Sequence, residues 1–160
     1  MRSYLDIQKM RYGDRLDYQI RIPEELKKLY TVKLLIQPLA ENSIYHGIKE
    51  SDRKGTILIT AGEEPGGVYL CVRDDGLGIS QETLTILNAD LKRGVTVSDG
   101  GYGIFNVNER IRLYFGRDYG LELRSCTGEW TEAVIHLPKY IPERTESVSY
   151  THLTLPTTER

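Results

Sequence analysis

What this sequence lacks narrows its roles before any motif is read. Only two cysteines occur in 160 residues. Cys71 and Cys126 lie far apart on apparent strands, with no CxxC or His-rich spacing around either. That argues against a disulfide framework and a cysteine metal site, and it leaves a reducing cytosol as the expected compartment. Neither charge dominates, since 21 Lys and Arg stand against 23 Asp and Glu. Without a global basic bias, no nucleic-acid partner and no anionic membrane surface is indicated, and any phosphate must be held locally. No apolar run approaches the ~20 residues of a membrane helix. Met1 is not followed by the basic, apolar and small-residue regions of a signal peptide, so the segment is expected to be soluble. No internal repeat is visible. The length suits a single domain that buries roughly two-thirds of its unfolded surface.

Residues 3–12, SYLDIQKMRY, carry Tyr4, Leu5, Gln8 and Tyr12 at helical spacing and read as the end of a helix that continues upstream. Gly13 and Asp14 break it. Leu16, Tyr18, Ile20 and Ile22 then alternate with polar residues as a half-buried strand does. Thr31–Ile48 is predicted to be helical, capped at Thr31, kinked at Pro38 and stopped near Gly47, with Leu35, Leu39, Asn42 and His46 on one stripe. Strands are predicted at Thr56–Ala61 and Val68–Asp74, joined as a hairpin by Glu64-Pro65-Gly66-Gly67. A helix around Gln81–Asn88 leads into a polar, glycine-containing segment over 89–103. Ile104, Val107, Ile111 and Tyr114 mark another helix, and Leu121–Cys126 and Thr131–Leu137 a closing pair of strands. The domains expected are 1–14 as the end of an upstream helix, 15–141 as the folded unit, and 142–160 as a disordered tail. That tail is rich in Thr and Ser without a core-forming period, and its YTHLTLPTT resembles translated cloning or adaptor sequence.

Three constellations carry chemistry. In QPLAENSIYHG, residues 37–47, polar Asn42 and His46 interrupt a buried stripe. An unpaired buried amide costs about 1–3 kcal/mol, so Asn42 either bonds a neighbouring strand or offers its oxygen to Mg²⁺ in a cleft. In VYLCVRDDGLG, residues 68–78, Asp74 continues the inward parity of Val68, Leu70 and Val72, which sets a carboxylate on the core side of the sheet. Donors must surround it there, and an adenine amino group is one such donor. Gly76 and Gly78 allow a sharp turn and close approach of a flat base. In GGYGIFNVNERI, residues 100–111, Gly100, Gly101 and Gly103 precede a helix whose free N–H groups and dipole favour an anion. A core Asn, an Asp-Gly turn and a flexible loop are the plain readings of the three taken singly. The glycines fit neither a P-loop nor a dinucleotide fingerprint.

Taken in this order and spacing, the three resemble the N, G1 and G2 boxes of the GHKL (Bergerat-fold) ATPases. Within that superfamily IQPLAENSIYHGI and GYGIFNVNERIRLYFG resemble the N box, and the G2 box with its following helix, of LytS/YesM-like sensor histidine kinases. The resemblance runs from about Tyr4 to Tyr140. It implies Asn42 as Mg²⁺ ligand, Asp74 as acceptor for the adenine amino group, Gly76 and Gly78 beside the base, and Gly101 and Gly103 closing over the phosphates. His46 and Ile104 join these nucleotide contacts, and Glu41, beside the metal-binding Asn, is implied as an acid/base or supporting residue.

Two departures from the pattern matter. Many histidine kinases carry a phosphate-binding Lys three residues after the N-box Asn, where this chain has Tyr45. The charge must then come from His46, Lys49, Lys92, Arg93 or Arg110, which sequence does not rank. The family also carries its phosphoacceptor His upstream in an Asn-Pro-His-Phe context, and that string is absent here. His46, His136 and His152 are not nominated in its place.

The fold expected is α/β, a two-layer sandwich with a mixed sheet of about five strands and three helices on one face. The function implied is phosphorylation of a histidine on an upstream helix, of the same protein or its dimer mate, by Mg·ATP. A response regulator's aspartate would then accept the group. The intact protein would be a membrane-bound homodimer with this domain in the cytoplasm. Within the superfamily an anti-sigma-type serine kinase and an ATP-gated clamp module are the alternatives. The first is distinguished by the upstream helix and the second by its longer lid. A catalytically dead nucleotide-binding module is a third.

Overall fold

The computed structural model describes residues 1–27, 30–95 and 103–139, with the backbone alone for 30–34. The expected tail at 142–160, His152 included, lies outside these residues. Helix α1 (Arg2–Tyr12) is followed by a 3-10 turn at Gly13–Arg15 and strand β1 (Leu16–Arg21). A short helix α2 (Glu24–Lys27) and the longer α3 (Tyr30–Asn42) come next, and α3 runs on into a π-helical segment, Ser43–Ile48. Strands β2 (Gly55–Glu64) and β3 (Gly67–Asp74), helices α4 (Gln81–Arg93) and α5 (Gly103–Phe115), and strands β4 (Gly120–Cys126) and β5 (Trp130–Pro138) complete the described chain.

The sheet has five strands in the order β1-β2-β3-β5-β4. β1 and β2 are parallel and the other pairings antiparallel. A parallel pair cannot be closed by a tight turn, so the chain between Arg21 and Gly55 must cross a face of the sheet. That crossover is α3 with its π-helical extension, and it lays Asn42 and His46 over the strands. The β2–β3 hairpin turns at Pro65-Gly66, between the paired residues Glu64 and Gly67.

Register explains the core. Ile57 faces Asp74, Ile59 faces Val72, Leu70 faces Ile135, Val72 faces Ala133, and Leu121 faces Ile135. These residues are buried under the helices with Leu35, Leu39, Leu84, Leu91 and Ile111. Removing a large side chain such as Ile135 from such a cluster costs about 2–5 kcal/mol. On the opposite face lie Arg73, Glu132, Glu122, Arg124 and His136, where Arg73 pairs with Glu132 at 2.7 Å and covers the Trp130 ring.

One sequence expectation is corrected. The segment after Asn88 is helical as far as Arg93 rather than loop from Ala89, because Leu84, Leu87 and Leu91 form one stripe against the core. Gly94 ends the helix in the left-handed conformation, at φ 70°. The edge strand β4 is blunted by side-chain amides. Asn88 bonds both Leu123 N–H and C=O, at 2.9 and 2.8 Å, and Asn108 accepts from Leu121 N–H at 2.9 Å.

Candidate functional site

A cavity of about 110 Å³ opens between the crossover helix, the end of β3 and the start of α5. Asn42 and His46 stand on one wall, four residues apart and so on one helix face. Leu39, Ile79, Leu87, Ile104, Leu123 and Ala133 make most of the remainder apolar. Asp74 lies at the buried side, 3% exposed.

Asp74 is the feature that sets the site's chemistry. Burial pushes its carboxyl up to about 6, against hydrogen bonds from the Ser43 hydroxyl and the Gly76 N–H that favour the ionised form. The Gly76 N–H donates to Asp74 Oδ1 at 3.1 Å. A carboxylate with such donors retains lone pairs for a further one, and the cavity beside it has room for a flat polar ring.

Glycines let the backbone close around this carboxylate. A methyl on Gly47 would stand 2.5 Å from Asp74 Oδ1, and one on Gly76 would overlap the Gly47 backbone. Gly78 has φ +67°, and a methyl there would overlap the Cys126 carbonyl. The loop after β3 is thus held against the tip of the β4–β5 hairpin. The Ile79 N–H donates to Ser125 Oγ at 2.8 Å, and Gly128 N–H to the Leu77 carbonyl at 2.6 Å.

Among the residues expected from sequence, Asn42, His46, Asp74, Gly78 and Ile104 all border this one cavity. Gly76 is buried beneath it, bonded to Asp74. Gly103 opens α5, with space for a methyl 3.5 Å from the Pro38 side chain. Gly101 and the preceding Gly100 lie outside the described residues. Glu41 is exposed and bonded by Gln37 at 3.0 Å, and its charge acts on Tyr4 of α1. It is not part of the cavity wall.

Sequence reasoning missed Ser43 and Gly47, which touch Asp74 directly. Both line the same cavity, each one position after Asn42 or His46 and four residues apart from the other. It also missed Asn108, which donates to the Leu91 carbonyl at 2.8 Å and so ties α4 to α5 on either side of residues 96–102.

Among the described residues on this cavity Asn42 offers an amide oxygen, the Asp74 carboxylate is already engaged by Ser43 and Gly76, and no cluster of three His, Cys, Asp or Glu is present. That donor set suits a cation carried mainly by phosphates and water, as Mg²⁺ is. Apolar walls, a buried acceptor and glycine backbone at close approach suit a planar base.

The comparisons agree with this chemistry. Residues 29–141 match the family described as "Histidine kinase-, DNA gyrase B-, and HSP90-like ATPase". The chain is 36% identical over 138 residues to sensor histidine kinase YesM of Bacillus subtilis, covering 86% of this chain and 22% of that protein. It is 33% identical to sensor histidine kinase YpdA of Escherichia coli, covering 86% and 23%. Sensor protein LytS of Bacillus anthracis is 28% identical, with 92% and 25% covered. The chain thus spans a quarter or less of these relatives' length. The catalytic domain of histidine kinase ThkA superposes with TM-score 0.60 at 14% identity, covering 86% of this chain and 88% of that one. Its likeness concerns the fold. The chain belongs to the histidine kinase-, DNA gyrase B- and HSP90-like ATPase family and is its ATP-binding domain.

Proposed function

We propose that this chain is the catalytic domain of a sensor histidine kinase that transfers the γ-phosphoryl group of Mg·ATP to a histidine on an upstream helix. The observation that carries the reading is the buried Asp74 carboxylate on the same cavity as the Asn42 amide, with Gly47, Gly76 and Gly78 clearing the space around them. In it, Asp74 accepts from the adenine amino group and discriminates against guanine, which offers a carbonyl there. Ile79, Leu87, Leu123 and Ala133 exclude water from the base. Asn42 would hold Mg²⁺, which supplies charge neutralisation on the phosphates when bound. The N-terminus of α5 at Gly103 directs its dipole toward the same anion, as Gly101 would from the segment before it.

The chemical step needs little from the chain beyond position. An imidazole nitrogen attacks the γ-phosphorus, the bond to the ADP oxygen breaks, and the imidazole proton leaves to solvent or a nearby base. Glu41 is the candidate for that base or for its support. It faces the α1 side of α3, where Tyr4 feels its charge. In this reading α1 is the end of the dimerisation helix, the intact protein is a membrane-bound homodimer with this domain in the cytoplasm, and a response regulator's aspartate receives the phosphoryl group. Similarity to YesM, YpdA and LytS favours this over a serine kinase or a clamp.

Asn42→Ala is the test. Calorimetry is expected to show that Mg²⁺ no longer strengthens ATP binding, while adenosine affinity stays within about twofold of wild type, since the base contacts are separate. Equal loss of adenosine and Mg·ATP binding would make Asn42 a structural core residue and overturn the assignment.

A further inference from the structure

A nucleotide triphosphate needs positive charge, yet among the described residues that line the cavity there is no Lys or Arg. We propose that Lys49, held on the face of Tyr45, is the side chain that meets the nucleotide's phosphates. This inference rests on the ATP-binding reading above.

The geometry starts at the cavity wall. His46 lines it, and the Tyr45 ring packs against His46 edge to face, with centroids 5.3 Å apart and planes at 74°. Lys49 Nζ stands 4.3 Å from the centre of the Tyr45 ring. An unbroken row His46–Tyr45–Lys49 therefore leads from the wall to an ammonium group. The π-helical turn contributes, because Lys49 N–H bonds the Ile44 carbonyl five residues back at 2.8 Å and so sets the register of this last turn. A lysine held over an aromatic face loses part of its rotamer freedom in advance and keeps its N–H donors available. Among the described residues no carboxylate lies within ion-pair distance of Lys49.

The other cations are worse placed. Arg93 is bonded to Asp90 at 2.9 Å. Lys92 lies about 7.5 Å along α4 beyond cavity-lining Leu87, at 1.5 Å per residue, and Arg112 is bonded to the Leu91 and Lys92 carbonyls, at 2.9 and 2.6 Å. Arg112 lies about 12 Å along α5 from Ile104, the helix's cavity residue, and Arg110 about 9 Å, at 1.5 Å per residue. Both lie toward the end of α5 away from the anion-favouring N-terminus. Tyr45 is exposed beside cavity-lining His46, and Lys49 is held on its ring.

The experiment titrates adenosine and Mg·ATP into the 160-residue chain and its variants. Lys49→Met is expected to weaken Mg·ATP about tenfold, the value of one charge-assisted contact, with adenosine changed less than about twofold. The salt dependence of ATP binding should fall in the same variant. Tyr45→Phe keeps the ring and should bind as wild type does. Tyr45→Leu should lose most of what Lys49→Met loses, and the double variant should be no worse than Lys49→Met. Lys49→Glu, melting at the wild-type temperature, provides a second reading at this exposed position. An unchanged ratio of ATP to adenosine affinity in both Lys49 variants overturns the proposal while leaving the ATP reading intact. A wild-type chain that binds neither ligand overturns both.

Discussion

Gly76 packs backbone to backbone on Gly47, so closely that a methyl on Gly76 would stand 2.5 Å from the Gly47 α-carbon. The two glycines come from different elements, the π-helical segment and the loop after β3. Their contact draws the crossover down onto the end of β3 and brings Ser43 within hydrogen-bonding reach of Asp74.

Replacing either glycine by alanine should therefore damage binding in distinguishable ways. In Gly47→Ala the methyl meets the Asp74 carboxylate, a side chain that can turn aside, so the fold should survive with a loss of about 1–3 kcal/mol. Adenosine binding should fall at least tenfold, because the displaced carboxylate no longer faces the base. In Gly76→Ala the clash is with backbone, and the loss of stability should be larger. Urea melts with paired adenosine titrations measure both, and wild-type adenosine affinity in folded Gly47→Ala protein would contradict the placement of the base.

Asp74 makes adenine recognition depend on pH. Its carboxyl is pushed up to about 6 by burial, so it is mostly ionised at pH 7 and mostly protonated at pH 5. Adenosine carries no phosphate to complicate the titration, and its affinity should fall about tenfold between those values, as one proton must be displaced. Asp74→Asn should bind adenosine weakly with no such slope. Stability runs the opposite way. A carboxyl raised from 3.8 holds its proton more tightly in the folded chain, so the free protein is favoured most below pH 4 and loses about 3 kcal/mol as pH rises to about 6. Asp74→Asn removes that cost and should be the more stable protein at pH 7.5, measured by urea unfolding at both pH values. A variant less stable than wild type at pH 7.5 would mean that the native carboxylate is better solvated than its burial implies.

The sheet and its helices were legible because their burial follows simple periods. Val68, Leu70, Val72 and Asp74 share parity on β3, and this alone turns a carboxylate inward. Contacts between elements were not legible. Ser43 and Gly47 reach Asp74 only because the parallel β1–β2 pairing forces the crossover over that strand end, a tertiary consequence that no local pattern encodes. The extension of α4 to Arg93 was hidden by Asn88, Ala89 and Asp90, which resemble a loop. Asn88 is helical because its amide has a partner in the exposed edge of β4. Glu41 and Ser43 both adjoin cavity-lining Asn42, yet Ser43 lines the cavity while Glu41 is exposed beside Gln37, and sequence adjacency alone does not tell the two apart.

The last prediction concerns the acceptor. Incubated with labelled ATP and Mg²⁺, this chain alone should accumulate no acid-labile, base-stable phosphohistidine. Phosphoryl transfer requires a nucleophile in line with the γ-phosphate, and the described histidines do not offer one. His136 lies on the sheet face away from the cavity, where Glu64 contacts its Nδ1 at 2.8 Å and Glu122 its Nε2 at 3.6 Å. Its neighbours Ile135 and Leu137 point to the core instead. His46 is on the cavity wall, anchored on the π-helical turn, and in the proposed binding mode it stands beside the nucleotide rather than in line with the leaving group. Supplied in trans, a fragment carrying the upstream helix of the same protein should be phosphorylated slowly, because the encounter is now bimolecular. The Asn42→Ala variant should not support that transfer. Stoichiometric phosphorylation of His46 or His136 by mass spectrometry would locate the acceptor inside this domain and overturn the division between catalytic domain and upstream acceptor.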